Sequence, residues 1–155
     1  MPEFHLAQIN IGRMLGPRDS PTMAEFMARL DEINALAEHA PGYVWRLQDE
    51  NGNATDIRAF DDDWLIVNMS VWESVETLKT FVYNTQHSEV MRKRRQWFEP
   101  HMESYFCMWW IPAGHIPTVQ EAKEHLEHLQ AHGESETAFT FRRVFAPPQV
   151  QTQET

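Results

Sequence analysis

Two periods of apolar spacing take turns along this chain. From Phe4 to Gly12 the side chains alternate, with His5, Ala7, Ile9 and Ile11 on one side and Phe4, Leu6, Gln8 and Asn10 on the other. That pattern predicts a strand with one apolar edge and one mixed face. Gly16, Pro17, Asp19, Ser20 and Pro21 form a turn-rich connection. Met23, Phe26, Met27, Leu30, Ile33, Leu36 and Ala37 then recur every three or four residues, so a helix is expected over Thr22 to His39, stopped by Pro41 and Gly42. Tyr43 to Gln48 is a second strand. The loop after it, DENGNATDIRAFDDD, is acidic but lacks the calcium-loop placement of Gly and Glu.

Trp64 to Trp72 alternates again. Leu65, Val67, Met69 and Val71 suit packing under helices, whereas Trp64, Ile66, Asn68, Ser70 and Trp72 suit the lining of a polar-tipped cavity. Ser74, with Thr77 behind it, marks the N-cap of a helix whose stripe is Leu78, Phe81 and Val82. The pattern falters near Asn84 and Thr85, which predicts a kink before a second segment from Ser88 to Glu99, closed by Pro100. Tyr105 to Ile111 is a fourth strand. Thr118 and Glu121 have capping-box spacing, Val119, Ala122, Leu126 and Leu129 form the next buried stripe, and Gly133 ends that helix. Ala138 to Phe145 is expected as a last short strand and Pro147 onward as a disordered tail.

The order strand, helix, strand, strand, helix, strand predicts an α+β fold of the split βαβ, ferredoxin-like kind, with an antiparallel sheet and an extra C-terminal helix and strand. One domain is expected over residues 1–146, with the tail over 147–155. With two helices on one face, the other face would show Leu6, Ile66, Trp72 and some of Phe106, Met108 and Trp110, too apolar to stay wet. Two such sheets packed face to face would bury it, so a homodimer is expected.

Composition narrows the partners. Among 155 residues, 23 acids against 13 bases give a formal net charge of -10, which speaks against nucleic acid because phosphate binding needs clustered Lys and Arg. The lone Cys107 excludes an internal disulfide and a cysteine-based metal site. No leader pattern opens the chain and no apolar run approaches a membrane span, so no membrane partner and a cytoplasmic location are expected.

Three groups of residues offer chemistry. On the second helical segment His87, Met91, Arg94 and Phe98 share a face, so His87 and Arg94 suit a general base and an anion clamp, or His87 suits a haem ligand; structural roles at the kink are the plain counterpart. Gln8, Asn10, Arg46, Asn68 and Ser70, rimmed by Trp45, Trp64, Trp72 and Trp110, suit a site that orients one flat apolar ligand with a few hydrogen bonds. Cross-strand pairing and core packing are the alternative for these residues. Glu121, His125, His128 and His132 share one side of the last helix, yet without an HExxH pairing they are expected to be a solvated face, and no metal site is assigned.

The segment VNMSVWESVETLKTFVYNTQHSEVMRKRRQWF, followed by MWWIPAGHIPTVQEAKEHLEHLQAHGESETAFTF, resembles an uncharacterised domain-of-unknown-function family within the dimeric α+β barrel superfamily. A strand ending in Trp72, Glu73 and Ser74, then a helix, then His87, is similar to antibiotic-biosynthesis-type monooxygenases and related haem-binding barrels. The resemblance implies a ferredoxin-like monomer and a face-to-face dimer enclosing two pockets. It also implies a monooxygenase-like oxidoreductase without a tightly bound cofactor, acting on an apolar or aromatic small molecule between the sheet and the second helix. In that reading His87 is the base, while Arg94, Asn68 and Asn10 orient the substrate and Gln8, Arg46, Ser70, Trp72, Met91 and Trp110 line the site. A haem binder with His87 as axial ligand and a non-catalytic ligand-binding dimer are the alternatives.

Overall fold

The structure, a computed structural model, describes residues 4–16, 20–47, 65–83, 97 and 106–148. Alternating, β-rich stretches form β1 (Phe4–Arg13), β2 (Tyr43–Arg46), β3 (Leu65–Trp72) and β4 (Phe106–Pro112). The three- and four-residue apolar spacings form α1 (Ala24–Glu38), α2 (Val75–Val82) and α3 (Val119–His132). The sheet runs β2-β3-β1-β4 with every pairing antiparallel, the order of a ferredoxin-like split βαβ fold.

Local chemistry sets the element ends. Ser74 accepts from the Thr77 backbone N–H while the Thr77 hydroxyl accepts from the Ser74 N–H, both at 3.2 Å, so α2 begins on a reciprocal cap. Thr118 and Glu121 do the same for α3, which stops at Gly133 with φ +76°. Gly42 adopts φ +84°, and its carbonyl accepts from the Glu73 N–H at 2.8 Å, which locks the α1–β2 turn against the entry to α2.

The sheet is covered on both faces, and this corrects the expected arrangement. Ala7, Ile9, Ile11, Val67, Met69 and Val71 pack beneath Ala122, Leu126 and Leu129 of α3, not beneath α1 and α2. The opposite face lies under those two helices: Leu6, Trp72 and Met108 meet Ala37, Val75, Leu78 and Phe139, while Met14 and Ile66 meet Met23 and Trp97. Leu6 and Met108 on one side and Ile9 and Cys107 on the other are all 0% exposed within a single chain. Of the apolar surface that motivated a homodimer, Leu6, Ile66, Trp72 and Met108 are therefore buried within the single chain, while Phe106 and Trp110 stay half-buried. Trp45 also changes place, packing with the α3 side rather than on the rim of the polar face.

A second correction concerns the C-terminal strand. Only Phe139 pairs with the sheet, exchanging two backbone hydrogen bonds with Met108 at 2.7 and 3.0 Å. Thr140 then turns the chain, because its carbonyl accepts from the Arg143 N–H and its hydroxyl from the Arg142 N–H. Residues 139–145 thus form an irregular aromatic strap beside β4 rather than a strand. Of the expected helical segment Ser88–Glu99 only Trp97 is described, and the loop after Gln48 and the tail from residue 149 lie outside the described residues. Among the described residues no helix is long and apolar enough to cross a membrane.

Candidate functional site

On the face under α1 and α2 the side chains stand in rows across the strands. Leu6 is in register with Trp72 and Trp110, Gln8 with Ser70 and Met108, and Asn10 with Asn68 and Phe106. The first row is apolar, and the next two are polar on β1 and β3 but carry Met108 and Phe106 on β4. On β1 and β3, therefore, a strip of amides and a hydroxyl parts two apolar clusters. Gly12 stands in register with Ile66 one row further and contributes no side chain there.

Hydrogen bonds tie the strip together. Gln8 Nε2 donates to Asn68 Oδ1 at 2.9 Å and to Ser70 Oγ at 2.7 Å. Asn10 Nδ2 donates to Gln8 Oε1 at 3.1 Å and to Asn68 Oδ1 at 3.2 Å, and Trp72 Nε1 donates to Ser70 Oγ at 2.8 Å. Gln8 and Ser70 are buried, at 3% and 7% exposure, whereas Asn10 and Asn68 are half-buried. Five interlocked bonds fix each ring and amide plane, because buried polar groups are costly to leave without partners.

Counting donors and acceptors shows what the strip leaves open. Asn68 Oδ1 and Ser70 Oγ each accept twice, so Asn68 keeps its Nδ2 hydrogens and Ser70 keeps its hydroxyl hydrogen with no acceptor among the described residues. Asn10 Oδ1 is the matching uncommitted acceptor. Asn10 and Asn68 are both half-buried, and neither Asn68 Nδ2 nor Asn10 Oδ1 is among the described buried atoms left without a partner. Fixed neutral donors beside a fixed acceptor can hold a ligand oxygen, and the donors favour that oxygen when it carries negative charge.

The other predicted residues divide. Arg46 reaches the same face, but its Nε donates to Glu38 Oε2 of α1 at 2.7 Å, so the guanidinium joins helix to sheet instead of standing ready for a ligand. Glu38 carries no signal for that role in the sequence. Trp72 is core, 1% exposed, stacked on Phe81 at 5.2 Å and edge-on to Tyr43 at 5.9 Å. Burial, then the Glu38 carboxylate, push the Tyr43 phenol above its ordinary pKa, so it stays a neutral ring in that wall. Trp110 donates its indole N–H to the Phe145 carbonyl at 2.9 Å and so pins the strap rather than a ligand. His87, Met91 and Arg94, with Trp64 and Phe98, lie outside the described residues. The structure therefore brings Gln8, Asn10, Asn68 and Ser70 together as one unit and assigns Arg46, Trp72 and Trp110 to its supports.

On α3 His128 and His132 lie ring to ring at 4.7 Å, but His125 and Glu121 are engaged elsewhere. His125 lies flat on Trp109 at 4.6 Å and shares a 2.7 Å hydrogen bond with the Thr137 carbonyl, while Glu121 Oε1 pairs with His115 Nε2 at 2.9 Å. Among the described residues no three His, Cys, Asp or Glu side chains are placed to hold a metal ion.

Comparison with known proteins gives a family without a reaction. The family model described as Domain of unknown function (DUF3291) matches residues 5–155. No curated protein matches the chain. Among solved structures, the chain is similar to SnoaB, a cofactor-independent oxygenase from Streptomyces nogalater, at 15% identity and a TM-score of 0.46, over 72% of this chain and 95% of that one. It is also similar to the NE2512 protein of unknown function from Nitrosomonas europaea, at 10% identity and a TM-score of 0.47, over 76% of this chain and 99% of that one. A third is PA3566 from Pseudomonas aeruginosa, at 14% identity and a TM-score of 0.45, over 72% and 96% of the two chains.

Proposed function

The chain belongs to the DUF3291 family, whose description carries no reaction, and from the site itself we propose a monooxygenase-like oxidoreductase that needs no bound cofactor. Its substrate is an aromatic small molecule with an enolisable or phenolic oxygen, laid across the strip of Gln8, Asn10, Asn68 and Ser70. The observation that carries this reading is the pair of uncommitted donors, Asn68 Nδ2 and the Ser70 hydroxyl, held in place by a network whose other side-chain donors are spent.

Such donors favour the substrate once a proton has left carbon and charge has gathered on oxygen. The electron-rich carbon then gives its electrons to dioxygen, the peroxide formed on it loses water, and a carbonyl remains. For an anthrone the sum is one anthrone plus one dioxygen giving one anthraquinone plus one water. The described part of the strip is composed of amides and a hydroxyl and holds no group that would take the proton. His87 is the proposed base and Arg94 the proposed anchor for the anion. Apolar clusters on either side of the strip would help to keep the reactive carbanion away from water.

Oxygen uptake by the purified chain with 9-anthrone, in buffer free of flavin, haem and added metal, tests the reading. Turnover with appearance of anthraquinone is expected, and Asn68→Ala should lower kcat by about 10²-fold, the usual cost of one such donor. Uptake no faster than without protein, or unchanged in Asn68→Ala, would overturn it.

A further inference from the structure

The strip ends at an aromatic wall whose construction goes beyond its polar chemistry. Phe106 of β4 is in register with Asn10 on the same sheet face, which sets it at the β4 end of the row that carries Asn10 and Asn68. Behind it Phe141 of the strap stacks at 5.4 Å with planes 22° apart, and Tyr83 at the end of α2 lies 6.4 Å from Phe141. Phe106 and Phe141 are only half-buried, and Tyr83 is 64% exposed. A row of rings left partly open beside unsatisfied hydrogen-bonding groups matches the anatomy of a small-molecule site.

The strap is built to hold Phe141 in that place. Phe139 is tied to Met108 by two backbone bonds, and the Phe145 carbonyl is tied to the Trp110 indole at 2.9 Å. Between these anchors the Thr140 hydroxyl donates to Glu134 Oε1 at 2.9 Å and accepts from the Arg142 N–H at 3.1 Å, which fixes the turn that turns Phe141 onto Phe106. A lone phenylalanine on a sheet edge is free to change rotamer. One clamped from behind presents a fixed flat surface.

We propose that Phe141 is a positioning residue that braces Phe106 as a stacking wall, and that the site therefore selects flat aromatic ligands over saturated ones carrying the same oxygen. This rests on the strip being the ligand site, and the test separates the two claims. The probes are 1-naphthol and decahydro-1-naphthol, titrated calorimetrically into the full chain. They share a carbon skeleton and hydroxyl position, but one is a flat phenol and the other a puckered alcohol, so the deciding readout is how each affinity changes on substitution. The native protein should prefer 1-naphthol. Phe141→Leu, which keeps an apolar side chain and so guards the fold, should weaken 1-naphthol by roughly threefold to tenfold and leave decahydro-1-naphthol unchanged, the cost of one aromatic pair. Phe141→Tyr, which keeps the ring, should restore the preference. Equal weakening of both probes, or of neither, in Phe141→Leu would overturn the brace while leaving the strip intact. Probes that fail to bind the native chain, or that bind Asn68→Ala as they bind the native chain, would overturn the strip and the wall together.

Discussion

Gln8 Nε2 stands 2.7 Å from Ser70 Oγ across the β1–β3 pair, and Gln8 is the member of the strip that touches each of the other three polar side chains. It donates to Ser70 and Asn68 and accepts from Asn10, at 3% exposure. Replacing it with Met keeps length and volume but takes one hydrogen bond from each of three partners. Among the described residues, that leaves Ser70 only the Trp72 indole and leaves Asn10 and Asn68 only each other. Gln8→Met should cost about 1–3 kcal/mol of folding stability, the usual range for removing one partner from a buried hydrogen-bonded group. Urea midpoints of the two proteins measure it, and a loss confined to a few tenths would mean that the strip is already satisfied by water.

Gly42 carries a different constraint. Its φ of +84° is disfavoured for a side chain, and a Cβ built there would overlap the Thr77 side chain of α2. Strain and collision act together, so Gly42→Ala should lose roughly 2 kcal/mol or more. Thr77→Gly alone removes every colliding atom, the Thr77 Cβ included, and with them half of the reciprocal cap on Ser74. The double variant Gly42→Ala/Thr77→Gly should therefore be less destabilised than the sum of the two single ones, a non-additivity read from denaturation midpoints.

Much of this fold is legible in the sequence because its elements end on specific chemistry. Ser74 with Thr77, Thr118 with Glu121, and Gly133 mark helix ends at the residues where the structure places them. Alternation in Phe4 to Gly12 and Ile66 to Trp72 sorts side chains into two sets correctly, but it cannot say which set meets which helix. Both sets are apolar enough to be buried, and α3, which lies far along the chain, takes the face of Ala7, Ile9 and Ile11. That is why Gln8, Asn10, Asn68 and Ser70 were legible as one group while their surroundings were not. Arg46 illustrates the same gap, since its partner Glu38 sits on α1 at a spacing that belongs to neither a helix nor a strand. In the strap, the Thr140 turn defeats the alternation of Phe139, Phe141 and Phe145, because hydroxyl and backbone bonds within the segment compete with pairing to β4.

His125 makes stability depend on pH. Burial against Trp109 pushes its pKa below the ordinary 6.5, outweighing the hydrogen bond to Thr137 and the nearby Glu121 and Glu124 carboxylates, with His128 adding to the depression. The unfolded chain then binds a proton at this site more readily than the folded one. The contribution of neutral His125 is fully present above pH about 6.5 and is lost as pH falls from there through the folded-state pKa. His125→Gln should flatten the pH dependence between about pH 7 and 5 relative to the native chain. Parallel melting curves for the two proteins across that range check it, and identical slopes would show that the ring titrates as it does in water.

Cys107 gives a direct readout of core opening. It is 0% exposed at the centre of the cluster beneath α3, and burial pushes its thiol up to about 12. The thiolate is the reactive form, so at pH 8 the folded chain presents almost none of it, and what little forms is walled off by Ile9 and its neighbours on that face. A disulfide reagent such as dithiobis-nitrobenzoate should therefore modify the native protein only as fast as α3 lifts from the sheet or the whole chain unfolds, and it should react promptly in concentrated urea. Leu126→Ala is the variant that separates those routes. Emptying a fully buried position on α3 costs about 2–5 kcal/mol and loosens the helix that covers the thiol. If α3 detaches by itself, labelling of Leu126→Ala should accelerate more than its urea midpoint predicts for global unfolding. If labelling tracks the midpoint, α3 and the sheet open as one unit.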